Sequence, residues 1–267
     1  MGILNVTPDS FSDGGQFFRP QVAIDHALRM VDEGADLLDI GGESTRPYSE
    51  GVDADEEFRR VMPVIEALAE RIAIPLSIDT SKARIAREAI TAGAEIINDV
   101  TALTGDAEML QVALASGAGI CAMHMQGTPQ TMQDDPRYDD LVGEIRAYLQ
   151  QRRDGLIAGG VEAVRIALDP GIGFGKTHQH NLDLLAACHQ FHDLGCPLLL
   201  GPSRKGFIAK VLGDKSVDRT AGTIGVVLAL AAQGVQVVRV HDVGPVRQAL
   251  ALFEAAGGLD GESRAAD

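Results

Sequence analysis

Gly34-Ala35-Asp36-Leu37-Leu38-Asp39-Ile40-Gly41-Gly42 is the stretch on which the reading of the whole chain turns. A helical pattern ends at Gly34, an apolar run follows, and the run carries a carboxylate into a Gly-rich loop. Glycine just past a helix allows the left-handed turn that feeds the next element. The same punctuation recurs at Gly93 before Glu95-Ile96-Ile97-Asn98 and at Gly117 before Gly119-Ile120-Cys121-Ala122-Met123. It returns at Gly160 before Val164-Arg165-Ile166-Ala167-Leu168, at Gly195 before Pro197-Leu198-Leu199-Leu200, and at Gly234 before Gln236-Val237-Val238-Arg239-Val240. Two further runs, residues 2–6 and 76–79, bring the predicted strands to eight.

These runs are short and apolar on both faces, as parallel strands covered by helices are. Amphipathic stretches lie between them, such as Ile24, Ala27, Leu28 and Val31 at helical spacing. Phe58, Val61, Met62, Ile65 and Ile72 form a second, with Pro63 inside it expected to kink the helix. Val243, Val246, Leu250 and Phe253 form the last, and the fifth helix, roughly 138–159, is the longest. Strict alternation of eight strands with eight helices predicts an α/β fold, a single-domain (β/α)8 (TIM) barrel over residues 1–257. A doubly wound open sheet is the alternative. Residues 258–267 read as a polar, frayed tail. The length, 267 residues, suits one barrel, which takes about 250.

Composition excludes several classes. A net charge of −15 opposes binding to nucleic acid or anionic membranes, so any anion site has to be built locally. No apolar run reaches the length of a membrane span. The start Met1-Gly2-Ile3-Leu4-Asn5 lacks a basic n-region and a cleavage site, which predicts a cytoplasmic protein. Cys121, Cys188 and Cys196 show no Cys-x-x-Cys spacing and read as buried, reduced thiols rather than zinc ligands.

Each apolar run delivers one polar residue: Asn5, Asp39, Asp79, Asn98, His124, Asp169, Ser203 and His241. In a barrel, the C-terminal strand ends and the loops after them form the reactive face. Asp, Asn and Ser also cap helices, but most of these residues precede the next helix by several positions. The loop Gly201-Pro202-Ser203-Arg204-Lys205-Gly206 and the run Val238-Arg239-Val240-His241-Asp242 occupy the usual phosphate corner of such a barrel. They supply Arg204, Lys205, Arg239 and His241 as an anion site, with Lys205 expected on a solvent-facing loop. Asp169-Pro170-Gly171-Ile172-Gly173-Phe174-Gly175-Lys176-Thr177 imitates a P-loop, but Pro170 stands where the first glycine is required. A flexible loop opening from a carboxylate is the better reading. The long first and second loops, with Phe11 and Arg46, read as lids.

These residues together resemble the dihydropteroate synthase family. The resemblance rests on Asn5-Val6-Thr7-Pro8-Asp9-Ser10-Phe11-Ser12-Asp13-Gly14-Gly15, Asp39-Ile40-Gly41-Gly42-Glu43-Ser44-Thr45-Arg46-Pro47, Ile78-Asp79-Thr80, Asn98-Asp99-Val100, Asp169-Pro170-Gly171, Ser203-Arg204-Lys205 and Arg239-Val240-His241-Asp242. The motifs run in order over nearly the whole chain. One departure is the abrupt start, since family members carry a short segment before the Asn5 strand.

The resemblance implies a transferase that joins 6-hydroxymethyl-7,8-dihydropterin pyrophosphate to p-aminobenzoate, with Mg2+ as cofactor and a homodimer as the assembly. It implies that Asp79, Asn98 and Asp169 bind the pterin edge and that Lys205 donates to its carbonyl where the two substrates meet. Arg239, His241 and Thr45 contact the pyrophosphate, and Asn5 is an oxygen ligand to Mg2+. Arg46 closes over the leaving group and Asp13 faces the developing cation. Phe11, Thr45 to Pro47 and Ser203, taken to stand at a helix N-terminus, line the p-aminobenzoate pocket. Asp39 supports from behind. Two rivals are weighed: a pterin-binding methyltransferase, which needs no pyrophosphate site, and a non-catalytic pterin-binding paralogue, which needs a lost strand-end residue where none is missing.

Overall fold

The computed structural model describes residues 1–7, 20–45, 47–49 and 51–259. Eight parallel strands are present: β1 (Gly2–Asn5), β2 (Leu38–Gly41), β3 (Leu76–Asp79), β4 (Ile96–Asp99), β5 (Gly119–Met123), β6 (Ile166–Asp169), β7 (Leu199–Leu200) and β8 (Val237–Val238). Strands β1 to β6 pair in sequence order, and β7 pairs with β8. Two single bridges join these sheets, Leu168 to Leu198 and Gly2 to Val240. Backbone bonds from Leu168 to Pro197, from Ile3 to Val240 and from Val240 to Met1, each 2.9 Å, carry the ladder across both seams. The sheet therefore closes into a barrel, and the open-sheet alternative falls.

The helices are α1 (Pro20–Asp32), α2 (Ala54–Ala69), α3 (Ala83–Thr91), α4 (Met109–Ser116), α5 (Leu141–Ala158), α6 (His178–Ala186), α7 (Gly206–Leu212), α8 (Thr220–Ala232) and α9 (Val243–Ala255). Nine helices, not eight, lie among the described residues, because β7 is followed by both α7 and α8. The extra short helix sits where this fold often places one, beside its phosphate corner. Helix α2 continues through Pro63, and α5 is the longest, at 18 residues. Leu4, Ile40, Ile78, Ile97 and Leu168 are fully buried against the covering helices, which explains why strands of four residues suffice. Gly34 (φ 92°) and Gly93 (φ 114°) adopt the predicted left-handed turns. The three cysteines are free and buried. Gly258 still bonds to the Phe253 carbonyl at 2.8 Å; residues 260–267 lie outside the described residues. No helix among them is long and apolar enough to cross a membrane.

Candidate active site

The strand-end residues do not serve as helix caps. The N-caps of α2 to α9 are Asp53, Lys82, Glu108, Asp140, Thr177, Lys205, Arg219 and Asp242, and among the predicted strand-end residues none appears there. Several of them bond to one another or to a shared cation instead. Asp39 stands within β2, not at its end, and is fully buried. Its Oδ2 accepts from Arg239 Nε at 2.6 Å and from Asn98 Nδ2 at 3.0 Å. Arg239 Nη2 donates to Asp79 Oδ2 at 2.8 Å. Side chains from β2, β3 and β4 are thereby tied to Arg239, which follows β8.

This knot fixes charge as well as position. Burial pushes the Asp79 carboxyl up to about 7; Arg239 opposes this, while Asp39, Glu57 and Asp99 add to it. Burial works against the Arg239 charge too, but Asp39 and Asp79 outweigh it and hold the guanidinium firmly protonated. Because an amide must present its NH2 to a carboxylate, Asn98 keeps its Oδ1 as an acceptor for other groups.

A second cluster gathers around Asp169, the last residue of β6. Its Oδ1 accepts from Gly171 N–H at 2.7 Å. Burial raises the carboxyl above the usual range, opposed by that N–H, Lys205, Lys176 and Arg239. Lys205 is not on a solvent-facing loop. It is half-buried, its Nζ bonds the Ile172 carbonyl and lies 4.3 Å from the Phe174 ring centre. Burial brings its ammonium down to about 8, with Arg239 adding and with Asp169 and Asp79 opposing. Arg204 is the solvated member of the pair, exposed and bonded to Asp242.

The loop after β6 is not a free flap. Gly173 N–H bonds Asn181 Oδ1 at 2.6 Å, Tyr138 Oη donates to the Gly175 carbonyl at 2.7 Å and Gln133 Nε2 to the Gly173 carbonyl at 2.9 Å. Gly171 has φ 76°, and a Cβ there would run into the His124 carbonyl. The glycines serve close packing onto the loop after β5, not looseness.

Ser203 also departs from expectation. It lies three residues before α7, whose cap is Lys205, so it is not a helix-terminal donor. Its buried Oγ accepts from His241 N–H at 3.1 Å and pairs with His241 Nδ1 at 2.9 Å. Asn5 ends β1, half-buried. Thr45 is half-buried and Pro47 exposed on the loop after β2. Phe11, Asp13 and Arg46 lie outside the described residues.

Three charged residues went unassigned in the sequence. Lys82 Nζ bonds Glu43 and, at 2.6 Å, the buried Glu57, bracing the loop that carries Thr45. Asp99, fully buried, accepts from Thr101 N–H (2.8 Å) and Leu103 N–H (3.1 Å) and braces the turn after β4. Lys176 is 2% exposed; a lysine at the end of a glycine loop beside a strand-end carboxylate was the available signal.

Residues 1–241 match the family described as pterin binding enzyme. The chain is 44% identical over 255 residues to the dihydropteroate synthase of Escherichia coli (strain K12), covering 96% of this chain and 90% of that one. A crystal structure of the Yersinia pestis dihydropteroate synthase with a sulfonamide superposes with a TM-score of 0.91 at 45% identity, covering 96% of this chain and 93% of that one. The Xanthomonas albilineans dihydropteroate synthase in complex with 7,8-dihydropteroate gives 0.87 at 41%, covering 96% and 92%.

Proposed function

The chain belongs to the dihydropteroate synthase family of pterin-binding enzymes, and from that membership we propose how its own residues carry out the condensation of 6-hydroxymethyl-7,8-dihydropterin pyrophosphate with p-aminobenzoate. The aryl amine attacks the exocyclic methylene, the new C–N bond forms as the C–O bond to pyrophosphate breaks, and the amine gives up a proton. Products are 7,8-dihydropteroate and pyrophosphate. The observation that carries this reading is that the Asp39–Asp79–Asn98–Arg239 knot and the Asp169–Lys205 cluster stand at the same end of one closed barrel, with Asp169 ending β6 and Lys205 following β7 beside β8. A flat ring rich in N–H donors and a phosphorylated tail call for that mixture of acceptors and cations.

Asp169 receives two adjacent N–H groups of the pterin edge. Asn98 offers Oδ1 to a third, and Asp79 takes another. Lys205 donates to the ring carbonyl, leaving the Ile172 carbonyl to do so. Arg239, with Nε and Nη2 committed to Asp39 and Asp79, turns Nη1 to the leaving group beside His241 and Thr45. Arg46 closes over it, and Asp13 faces the charge developing at the methylene. The Ser203 hydroxyl, Phe11 and Pro47 form the p-aminobenzoate pocket.

Among the described residues no set of three His, Cys, Asp or Glu side chains could hold a metal. Asn5, at the end of β1, carries the amide oxygen that would hold Mg2+ together with phosphate oxygens and water. The chemistry such an ion would supply is neutralisation of the pyrophosphate charge. Catalysis by the protein lies in positioning and leaving-group stabilisation rather than a strong base; positioning alone lowers barriers by up to about 7–11 kcal/mol in favourable cases. The resemblance also supports a cytoplasmic homodimer, which light scattering tests.

The deciding experiment is pyrophosphate release with and without p-aminobenzoate. Release that depends on both substrates is expected. Release indifferent to the aryl amine would sink the reading, and a methyl transfer requiring a corrinoid protein would favour the methyltransferase.

A further inference from the structure

Lys176 is nearly inaccessible to solvent and forms no ion pair among the described residues. Its Nζ lies 3.0 Å from His124 Nδ1 and donates to the Phe174 carbonyl at 2.9 Å. An ammonium has only protons to offer, so His124 Nδ1 accepts and the ring carries its proton on Nε2. The ring is fixed edge-on against Tyr148 at 4.9 Å. A buried cation without an ion-pair partner is costly, and this one stands against Gly171, where a Cβ would come within 3.4 Å of Lys176 Nζ and whose N–H bonds Asp169 Oδ1 at 2.7 Å.

We propose that Lys176 is a positioning residue for pterin recognition, supplying the buried positive charge that lets Asp169 meet the ring as an anion while pinning the loop after β6 to His124. This rests on the reading of Asp169 as the pterin-edge acceptor and extends it to a residue that touches no substrate.

The groups facing the pair are few. Asp169 sees Gly171 N–H on its own loop, Lys205 at the α7 cap, Arg239 beyond β8 and Lys176; the buried Cys121 thiol of β5 senses it as well. Lys176 sees Asp169, Lys205 and His124. Burial brings the Lys176 ammonium down to about 7, with Asp169 opposing and Lys205 adding. Burial and Lys176 together push His124 down to about 3, so it stays neutral. The sign follows. Below neutrality Lys176 is charged, and there its charge opposes protonation of Asp169. Removing it raises the pH at which Asp169 takes up a proton and stops accepting the pterin N–H groups.

The test is binding of 6-hydroxymethylpterin by calorimetry from pH 4.5 to 8.5. Lys176→Gln keeps donors for His124 and Phe174 but no charge, Lys176→Met removes both, and Lys176→Arg keeps the charge. The acid-side loss of affinity should begin about one pH unit or more higher in the Gln and Met variants and stay in place in the Arg variant. His124→Gln, which retains an acceptor for the ammonium, should leave it in place too. An unshifted acid limb in Lys176→Gln, or a loss equal at every pH, would overturn the proposal. If neither neutral variant folds, carboxyl 13C NMR of Asp169 in the unmutated protein decides. Its resonance should show a second step as Lys176 loses its proton near pH 7, and a single step overturns the proposal. Failure of the unmutated protein to bind the pterin would instead count against the parent reading.

Discussion

Arg239 lies between two carboxylates, at 2.6 Å from Asp39 and 2.8 Å from Asp79. Lys176 and Lys205, after β6 and β7, have no carboxylate within ion-pair distance among the described residues and rest on backbone carbonyls and rings. The first cluster ties its one cation to two carboxylates of its own and behaves as a frame. The second holds cations whose ordinary partner is missing, so its electrostatics are completed by what binds. The difference separates the part of the site that must not move from the part that must exchange partners.

The frame is where a substitution should cost most. Arg239→Met leaves Asp39 and Asp79 as buried, unmatched carboxylates, a change that typically costs about 3–5 kcal/mol. Denaturant unfolding at neutral pH should show that loss. It should shrink as pH falls and Asp79, already raised to about 7, takes up a proton. The sign follows from the raised value: its contribution to stability is full below the unfolded-state pKa and declines as pH climbs toward 7. A variant as stable as the parent at neutral pH would mean that the frame is not one.

The exchanging cluster should show the converse, a large catalytic effect on a sound fold. Lys205→Met should lower kcat about 10²–10³-fold, the usual size for removing one donor aimed at developing charge, with circular dichroism unchanged. Its protonated form is the working one, so kcat/KM should fall as pH rises through about 8. Lys205→Arg should move that alkaline limb upward. Parental turnover in Lys205→Met would remove the residue from the chemistry.

The same contrast governs what the sequence could reveal. Barrel topology was legible because helix-end glycines and doubly apolar runs are local signals. The strand-end residues were legible as a set, and Asp39 is found bonded to Arg239 and Asn98. Which of them pair was not legible, because Asp39 and Arg239 meet only after the sheet closes across β8 and β1. Lys205 was misplaced in solvent for a related reason: its burial comes from the loop after β6 folding across it. That loop was misread as flexible because its glycines look like freedom in sequence and act as close contacts in space. The second helix after β7 was missed because nothing but a short polar turn separates α7 from α8.

A smaller effect should sharpen the comparison at β1. Asn5 belongs to neither cluster and is read as the ion's one protein ligand. Asn5→Ala should weaken Mg2+-dependent binding of pterin pyrophosphate by ~2 kcal/mol, about thirtyfold. Binding of the pyrophosphate-free pterin should not change. Calorimetry with and without Mg2+ separates the two, and equal losses for both ligands would make Asn5 structural.

The smallest effect concerns the second substrate, which neither cluster holds alone. A sulfonamide carries an aryl amine para to an acidic group, so it is expected to compete for the p-aminobenzoate pocket proposed for Phe11, Thr45, Pro47 and Ser203. Phe11 belongs to the segment after β1, and Thr45 and Pro47 to the segment after β2, which the proposed function expects to close over the pyrophosphate. The pocket is then complete only after the pterin substrate has satisfied Asp169, Lys205 and the free edge of Arg239. Binding should be ordered, pterin first, and affinity for the ligand-free protein should be reduced by the fraction of molecules already closed, about tenfold. Steady-state inhibition by a simple sulfonamide should be competitive against p-aminobenzoate and not against the pterin pyrophosphate. Calorimetry on the ligand-free protein supplies the second arm. Competition with the pterin, or full affinity without it, would show that the outer pocket is preformed and independent of the exchanging cluster, and the division of labour between frame and exchange site would then stop at the pterin.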